Sequence, residues 1–188
     1  MSAVSIHSRN ERPPLTVRAA EPAERDAVLA FMEAANAEHQ SLVQPEVYDL
    51  YLRNLQDLVT ADRGVQLAVA GLGLRLVGAV AFIADAGMGG DDRHRRWATL
   101  RALAVDPAVR GAGIGQRLVG WCIGQARRHG APAIYLHSAI FQATAHRLYE
   151  RLGFRRMPEH DLDATTGYRD TPPTPGVPRL LAYWKNLG

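Results

Sequence analysis

The sequence predicts an α/β (α+β) fold: a mixed, mostly antiparallel central sheet of about seven strands flanked by four helices. Three observations point there. Two apolar runs, Val65 to Ala70 and Arg75 to Ala84, flank Gly71-Leu-Gly73 and read as a hairpin. Strand and helix patterns alternate from Trp97 onward, which sets helices against both faces of a sheet. The chain has 188 residues, 47% of them apolar and 22% charged, enough for one ordinary globular core.

The elements follow in order. Residues 1–14 are polar, carry no apolar signal core and read as a loose tail, leaving 15–188 as a single domain. Leu15 to Ala19 is a strand. Pro22 suits the first turn of a helix running to about Glu38, with Ala27, Phe31, Ala34 and Ala35 at helical spacing. Pro45 opens a second helix that Ala61-Asp-Arg-Gly64 ends. After the hairpin, Asp85 to Arg96 is a glycine-rich, charged loop, and Trp97 to Val105 is a strand long enough to cross a sheet. A helix from about Gly113 to His129 buries Ile114, Leu118, Cys122 and Ala126, four residues apart. Ala133 to His137 is a strand, Gln142 to Leu152 a helix stopped by Gly153, and Phe154 to Met157 begins another strand. Pro158 to Pro178 reads as a long loop and Arg179 to Lys185 as the last strand.

Charge is unevenly placed. The formal net charge is +3, yet eight arginines lie between Arg110 and Arg156, with Glu150 the only acid among them. A basic half suits an anionic partner: nucleic acid, a membrane surface or a phosphorylated cofactor. No apolar run has the roughly eighteen residues of a membrane span. No aromatics interleave with the arginines as a stacking platform for nucleic acid would require. The histidines lack partners at ligand spacing, so no metal site is expected. Cys122 is the single cysteine, which excludes an internal disulfide and fits a reducing cytoplasm.

The chemistry concentrates in Arg110-Gly-Ala-Gly-Ile-Gly115, between a strand and a helix. Alternating glycines let backbone approach a ligand, and a helix N-terminus offers unpaired N–H groups to a pyrophosphate. A dinucleotide turn would require an acid at the end of the next strand, and Leu136-His-Ser138 has none. A P-loop would require Gly-Lys-Ser/Thr, which is absent.

The segment Leu103-Ala-Val-Asp-Pro-Ala-Val-Arg-Gly-Ala-Gly-Ile-Gly115 closely resembles the acyl-CoA-binding motif of the GNAT acetyltransferases. Thirty residues later, Ala145-His-Arg-Leu-Tyr-Glu-Arg-Leu-Gly-Phe154 resembles the second signature of that superfamily. The resemblance is tight over residues 97 to 157 and holds only in element order before that. It implies a splayed strand pair forming the slot for acetyl-CoA, which serves as co-substrate. Backbone groups of Leu103, Ala104 and Val105 would meet pantetheine. Arg110, Gly111, Ala112, Gly113, Ile114, Gly115 and Gln116 would enclose the pyrophosphate, with Arg110 either touching it or bracing the loop. Gln142 stands where many members carry an Asn on pantetheine.

Tyr149 matches the tyrosine that many members place near the thioester sulfur, as general acid. The base departs from a common pattern, because Thr99 stands where many members have a strand Glu. A water chain or an amine that arrives deprotonated would do without a side-chain base; among side chains His137, near the end of a strand beside the slot, is favoured ahead of Glu38, His39 and His94. The resemblance implies an N-acetyltransferase acting on a primary amine of a small molecule or peptide, and dimers are frequent among its members. A non-catalytic acyl-CoA-binding or sensor module is the alternative that Thr99 keeps open.

Overall fold

The computed structural model describes residues 13–61, 63–88, 94–165 and 175–188. Most of the expected N-terminal tail, and parts of the 85–96 and 158–178 loops, lie outside the described residues.

The chain begins with β1 (Leu15–Ala19), then α1 (Arg25–Asn36), a 3-10 segment Ala37–Leu42, and α2 (Pro45–Thr60). The strands β2 (Val65–Leu72), β3 (Arg75–Ile83) and β4 (Ala98–Val105) follow. Then come α3 (Ile114–Arg128), β5 (Ala133–Ala139), α4 (Ala143–Arg151), β6 (Arg155–Arg156), β7 (Leu162–Asp163) and β8 (Arg179–Asn186). The punctuation is local. Pro45 occupies the first turn of α2, and Asp106 caps the turn after β4 by accepting the Ala108 N–H at 2.9 Å.

One sheet runs in the order β1-β2-β3-β4-β5-β8-β6, with β7 on β8. Every pairing is antiparallel except β4 with β5. Successive residues of a strand face opposite sides, and the cores divide accordingly. Leu67, Val69, Ala79 and Ala81 pack with Val28, Met32, Leu55 and Val59 of α1 and α2. Ala68, Ala70, Val80 and Phe82 pack with Ile114, Leu118 and Cys122 of α3 and Tyr149 of α4. The mixed, mostly antiparallel sheet with helices on both faces is therefore as expected.

Two local readings are corrected. The hairpin turns at Gly73-Leu74, since Leu72 pairs with Arg75 and Gly73 has φ +61°. Gly71 belongs to β2, at an irregularity of register. The stretch read as one loop from Pro158 also contains β7, which makes an eighth strand. A two-residue strand carries no periodicity. It is set by Asp161, whose Oδ1 accepts the Ala182 N–H at 2.7 Å while its carboxylate pairs with Arg156 at 2.8 Å.

Gly78 decides how near α3 lies to the sheet. A Cβ there would come within 2.8 Å of Ile114 Cγ2 and 2.9 Å of Leu118 Cδ1. The bare backbone lets the helix that follows the glycine turn seat directly on β3.

Candidate functional site

β4 and β5 pair only at Ala98 with Ile134 and Thr99 with Tyr135, and then part. Beyond that point β5 stays bonded to β8 and β4 to β3. On the β3 side the register jumps, from Ala79 opposite Ala104 to Ala81 opposite Arg101. β4 thus carries one extra residue, a bulge. Ala102 sits in it with φ +52°, alone among described non-glycine residues in the left-handed region, a conformation that costs on the order of 1–2 kcal/mol for an L-residue. A strand that bends and parts from its parallel neighbour opens a slot in the middle of the sheet.

A cavity of about 1220 Å³ occupies that opening. It exceeds the roughly 300–1,000 Å³ of ordinary small-molecule pockets, leaving room for two reactants. Its lining includes Leu103, Gln142, Ala145 and Tyr149, and also Asn36, His39, Tyr48 and Tyr51. The His39 and Phe141 rings, both in the lining, have centroids 5.2 Å apart.

The glycine turn follows β4 directly. Gly111 and Gly113 have φ of +86° and +79°, and added Cβ atoms there would meet nothing within 4 Å. Conformation, together with open space above the loop, accounts for both. Gly115 serves packing instead, because its Cβ would lie 3.1 Å from Leu148 of α4. The first helical bond of α3 runs from the Arg117 N–H to the Gly113 carbonyl, 3.1 Å. The N–H groups of Ile114, Gly115 and Gln116 precede it, and no side chain caps them. Ala112 and Gln116 are exposed, while Ile114 is core.

Arg110 turns away from this surface. Its guanidinium donates to Glu38 Oε1 at 2.5 Å and to the Ala35 carbonyl at 3.1 Å, and its Nε to the Val105 carbonyl at 3.3 Å. Of its two expected roles, bracing the loop is the one this geometry serves. Glu38, a candidate base, is spent on that ion pair.

Tyr149 is buried, its ring against Phe154 and Tyr183 at centroid distances of 5.9 and 6.0 Å. Burial, with smaller effects from Cys122 and Tyr183, holds its phenol above the ordinary value of 10. His137 lines the same cavity. Its Nε2 lies 2.9 Å from the His160 carbonyl, which can only accept, so Nε2 carries the proton and Nδ1 keeps the free lone pair. Burial lowers its pKa from 6.5, against the opposing His160 carbonyl and Asp161, so the imidazole is neutral at pH 7.

Thr99 donates to the Tyr135 carbonyl at 3.0 Å, holding the last paired rung before the strands part. Gln142 accepts from Ser138 Oγ at 2.9 Å and from the Ala139 N–H at 3.1 Å, fixing the end of β5 to the start of α4. His94 packs on Trp97, ring centroids 4.1 Å apart, and is not part of the cavity lining.

The structure thus brings Leu103, His137, Gln142 and Tyr149 to one cavity, with Thr99 and His39. Ala104 faces the α1–α2 core, and Val105 packs on the α3 side. Sequence reasoning passed over Arg101, Phe141 and Asp85, which also line it. For Arg101 a signal existed: it is the one charge in the strand Ala98–Val105. Among the described residues no group of three or more metal-ligating side chains could hold a metal ion, and no helix is long and apolar enough to cross a membrane.

Residues 28–154 match the family model described as the acetyltransferase (GNAT) family. The chain is 29% identical over 142 residues to an IAA acetyltransferase of Azospirillum brasilense, covering 76% of this chain and 85% of that protein. It is 43% identical over 58 residues to an uncharacterised protein of Mycobacterium leprae, 31% of this chain and only 15% of that one. Among solved structures it resembles yncA of Salmonella typhimurium, determined with acetyl-CoA as its cofactor. That likeness has a TM-score of 0.62 at 20% identity, over 93% of this chain and 94% of that one.

Proposed function

Because this chain belongs to the GNAT acetyltransferase family, we propose that it moves an acetyl group from acetyl-CoA to a primary amine of a small molecule or peptide by direct attack. The observation that carries this reading is the slot itself: β4 and β5 part after Thr99, beside a glycine turn with uncapped N–H groups, and Tyr149 lines the opening. The same features fit acetyl-CoA. Open space over Gly111 and Gly113 admits a pyrophosphate, and Leu103 faces the path of pantetheine.

The reaction needs three services from the protein. Backbone at the Ala102 bulge polarises the thioester carbonyl. His137 Nδ1 takes the proton lost by the attacking nitrogen, because Nε2 is committed to the His160 carbonyl. Tyr149 gives its phenolic proton to the sulfur as the carbon–sulfur bond breaks, and burial keeps that phenol protonated through the neutral range. Thr99 cannot act as a base, and its hydroxyl is engaged by Tyr135.

The test is release of free CoA thiol, with acetyl-CoA, across a panel of primary amines. Acceptor-dependent release supports the transferase. Calorimetric affinity for acetyl-CoA with no release across the panel would replace it with a binding or sensor module.

A further inference from the structure

Among the described residues the cavity lining holds, besides histidines and tyrosines, two ionisable side chains, Asp85 just after β3 and Arg101 on β4. Arg101 lies on an interior strand, with β3 and β5 on either side, immediately before the left-handed Ala102. Leu100 before it is buried on the α3 side, while Arg101 is open to the cavity. No described side chain or carbonyl accepts a hydrogen bond from its guanidinium, and no described carboxylate pairs with it. Other arginines differ, since Arg110 is spent on Glu38 and Arg156 on Asp161.

A solvated surface arginine needs no partner, but this one stands beside the point where the strands part. Among the described residues of the lining, the one carboxylate is Asp85. Ile83 pairs with Thr99, so Asp85 lies beyond that rung while Arg101 lies on the other side of it. Four residues of strand separate their levels, roughly 13 Å. The nearer lining groups are Tyr135, whose hydroxyl donates to the Gly87 carbonyl at 2.6 Å, and His137. Burial raises the pKa of Tyr135 and lowers that of His137, and the Arg101 charge reaches both as a smaller downward influence. A guanidinium that no described group engages, with Asp85 beyond the Thr99 rung, is a receptor for an oxyanion.

We infer that Arg101 is a specificity-determining residue, and that the acceptor is a small amine carrying an oxyanion, a carboxylate or a phosphonate, held by the Arg101 guanidinium. The inference rests on the acetyl-transfer reading above and names the class of acceptor for that site.

The test uses matched acceptors that differ only in the anion: phenylalanine against 2-phenylethylamine, and 2-aminoethylphosphonate against propylamine. Thiol release gives kcat/KM for each, and calorimetry in saturating CoA gives acceptor affinity without turnover. We expect a preference of about 10- to 100-fold for the anionic member of at least one pair, expressed in KM. The pair that shows it identifies the oxyanion. Arg101→Gln should collapse that ratio toward one, and Arg101→Lys should restore part of it. Acetyl-CoA affinity of each variant reports separately on the integrity of the cavity. Equal use of both members of each pair, or a ratio unchanged in Arg101→Gln, overturns the inference and leaves acetyl transfer standing. Absence of thiol release with every amine removes the transferase reading and this inference with it.

Discussion

Arg110, on the glycine turn, is bonded to Glu38, in the 3-10 segment that follows α1, 2.5 Å from guanidinium to carboxylate. A second bond reaches the Ala35 carbonyl, so the turn is fastened to an element on the other side of β4. Bracing and direct anion contact predict opposite effects for Glu38→Gln. A brace that loses its partner frees the loop, and acetyl-CoA binds more weakly. An arginine released to touch the pyrophosphate would bind it more tightly. We expect a several-fold loss of affinity in Glu38→Gln and a larger loss in Arg110→Ala, measured by calorimetry. Stability should change by less than about 1 kcal/mol, because both partners are well exposed.

Tyr149→Phe removes one oxygen from a buried ring and leaves its packing on Phe154 and Tyr183. Acetyl-CoA affinity and melting temperature should stay close to those of the parent, while kcat falls by about 100-fold or more, the scale of a lost general acid. Full turnover in the variant would remove Tyr149 from the mechanism without touching the fold.

Much of this architecture was legible because punctuation residues mark it. Pro45 opens α2 and Gly153 follows α4, with φ +80°. What stayed hidden was set by contacts distant in sequence. Ala102 has a left-handed backbone, but alanine gives no sign of it as glycine would. The destination of Arg110 is a glutamate 72 positions away. β7 exists because Asp161 anchors its neighbourhood to β8. In the site, motif spacing brought out Tyr149 and the glycine turn. Arg101, Phe141 and Asp85 share the cavity through sheet topology, which no local pattern encodes.

Gly78→Ala tests the seating of α3. The added methyl would stand 2.8 and 2.9 Å from side-chain carbons of Ile114 and Leu118, both fully buried, so neither can step aside freely. We expect a loss of about 1–3 kcal/mol. At about 2–4 °C per kcal/mol for a chain of this size, thermal melting should fall by several degrees. Acetyl-CoA affinity should weaken as well, because the displaced residues lie in the first two turns of the helix whose N–H groups face the glycine turn.

Stability should also fall as the solution is acidified from pH 7.5 to 5.5. His39, His137 and His146 all have their pKa lowered in the folded chain, with burial the largest cause for each. In the unfolded chain they return to about 6.5. Between the two values the unfolded state binds more protons, so the free energy of unfolding rises with pH. The penalty is therefore absent well above 6.5, grows as pH drops through 6.5, and levels off below the folded values. Glu24 does not share this window. Arg18 holds its carboxyl down at about 2, and its contribution is lost only as pH falls from the ordinary glutamate range toward that value. Melting curves across pH 5.5–7.5 should slope in the parent and flatten in His137→Gln, whose amide can still donate to the His160 carbonyl. An unchanged slope in that variant would assign the effect to His39 and His146, and leave His137 protonating as it does in the unfolded chain.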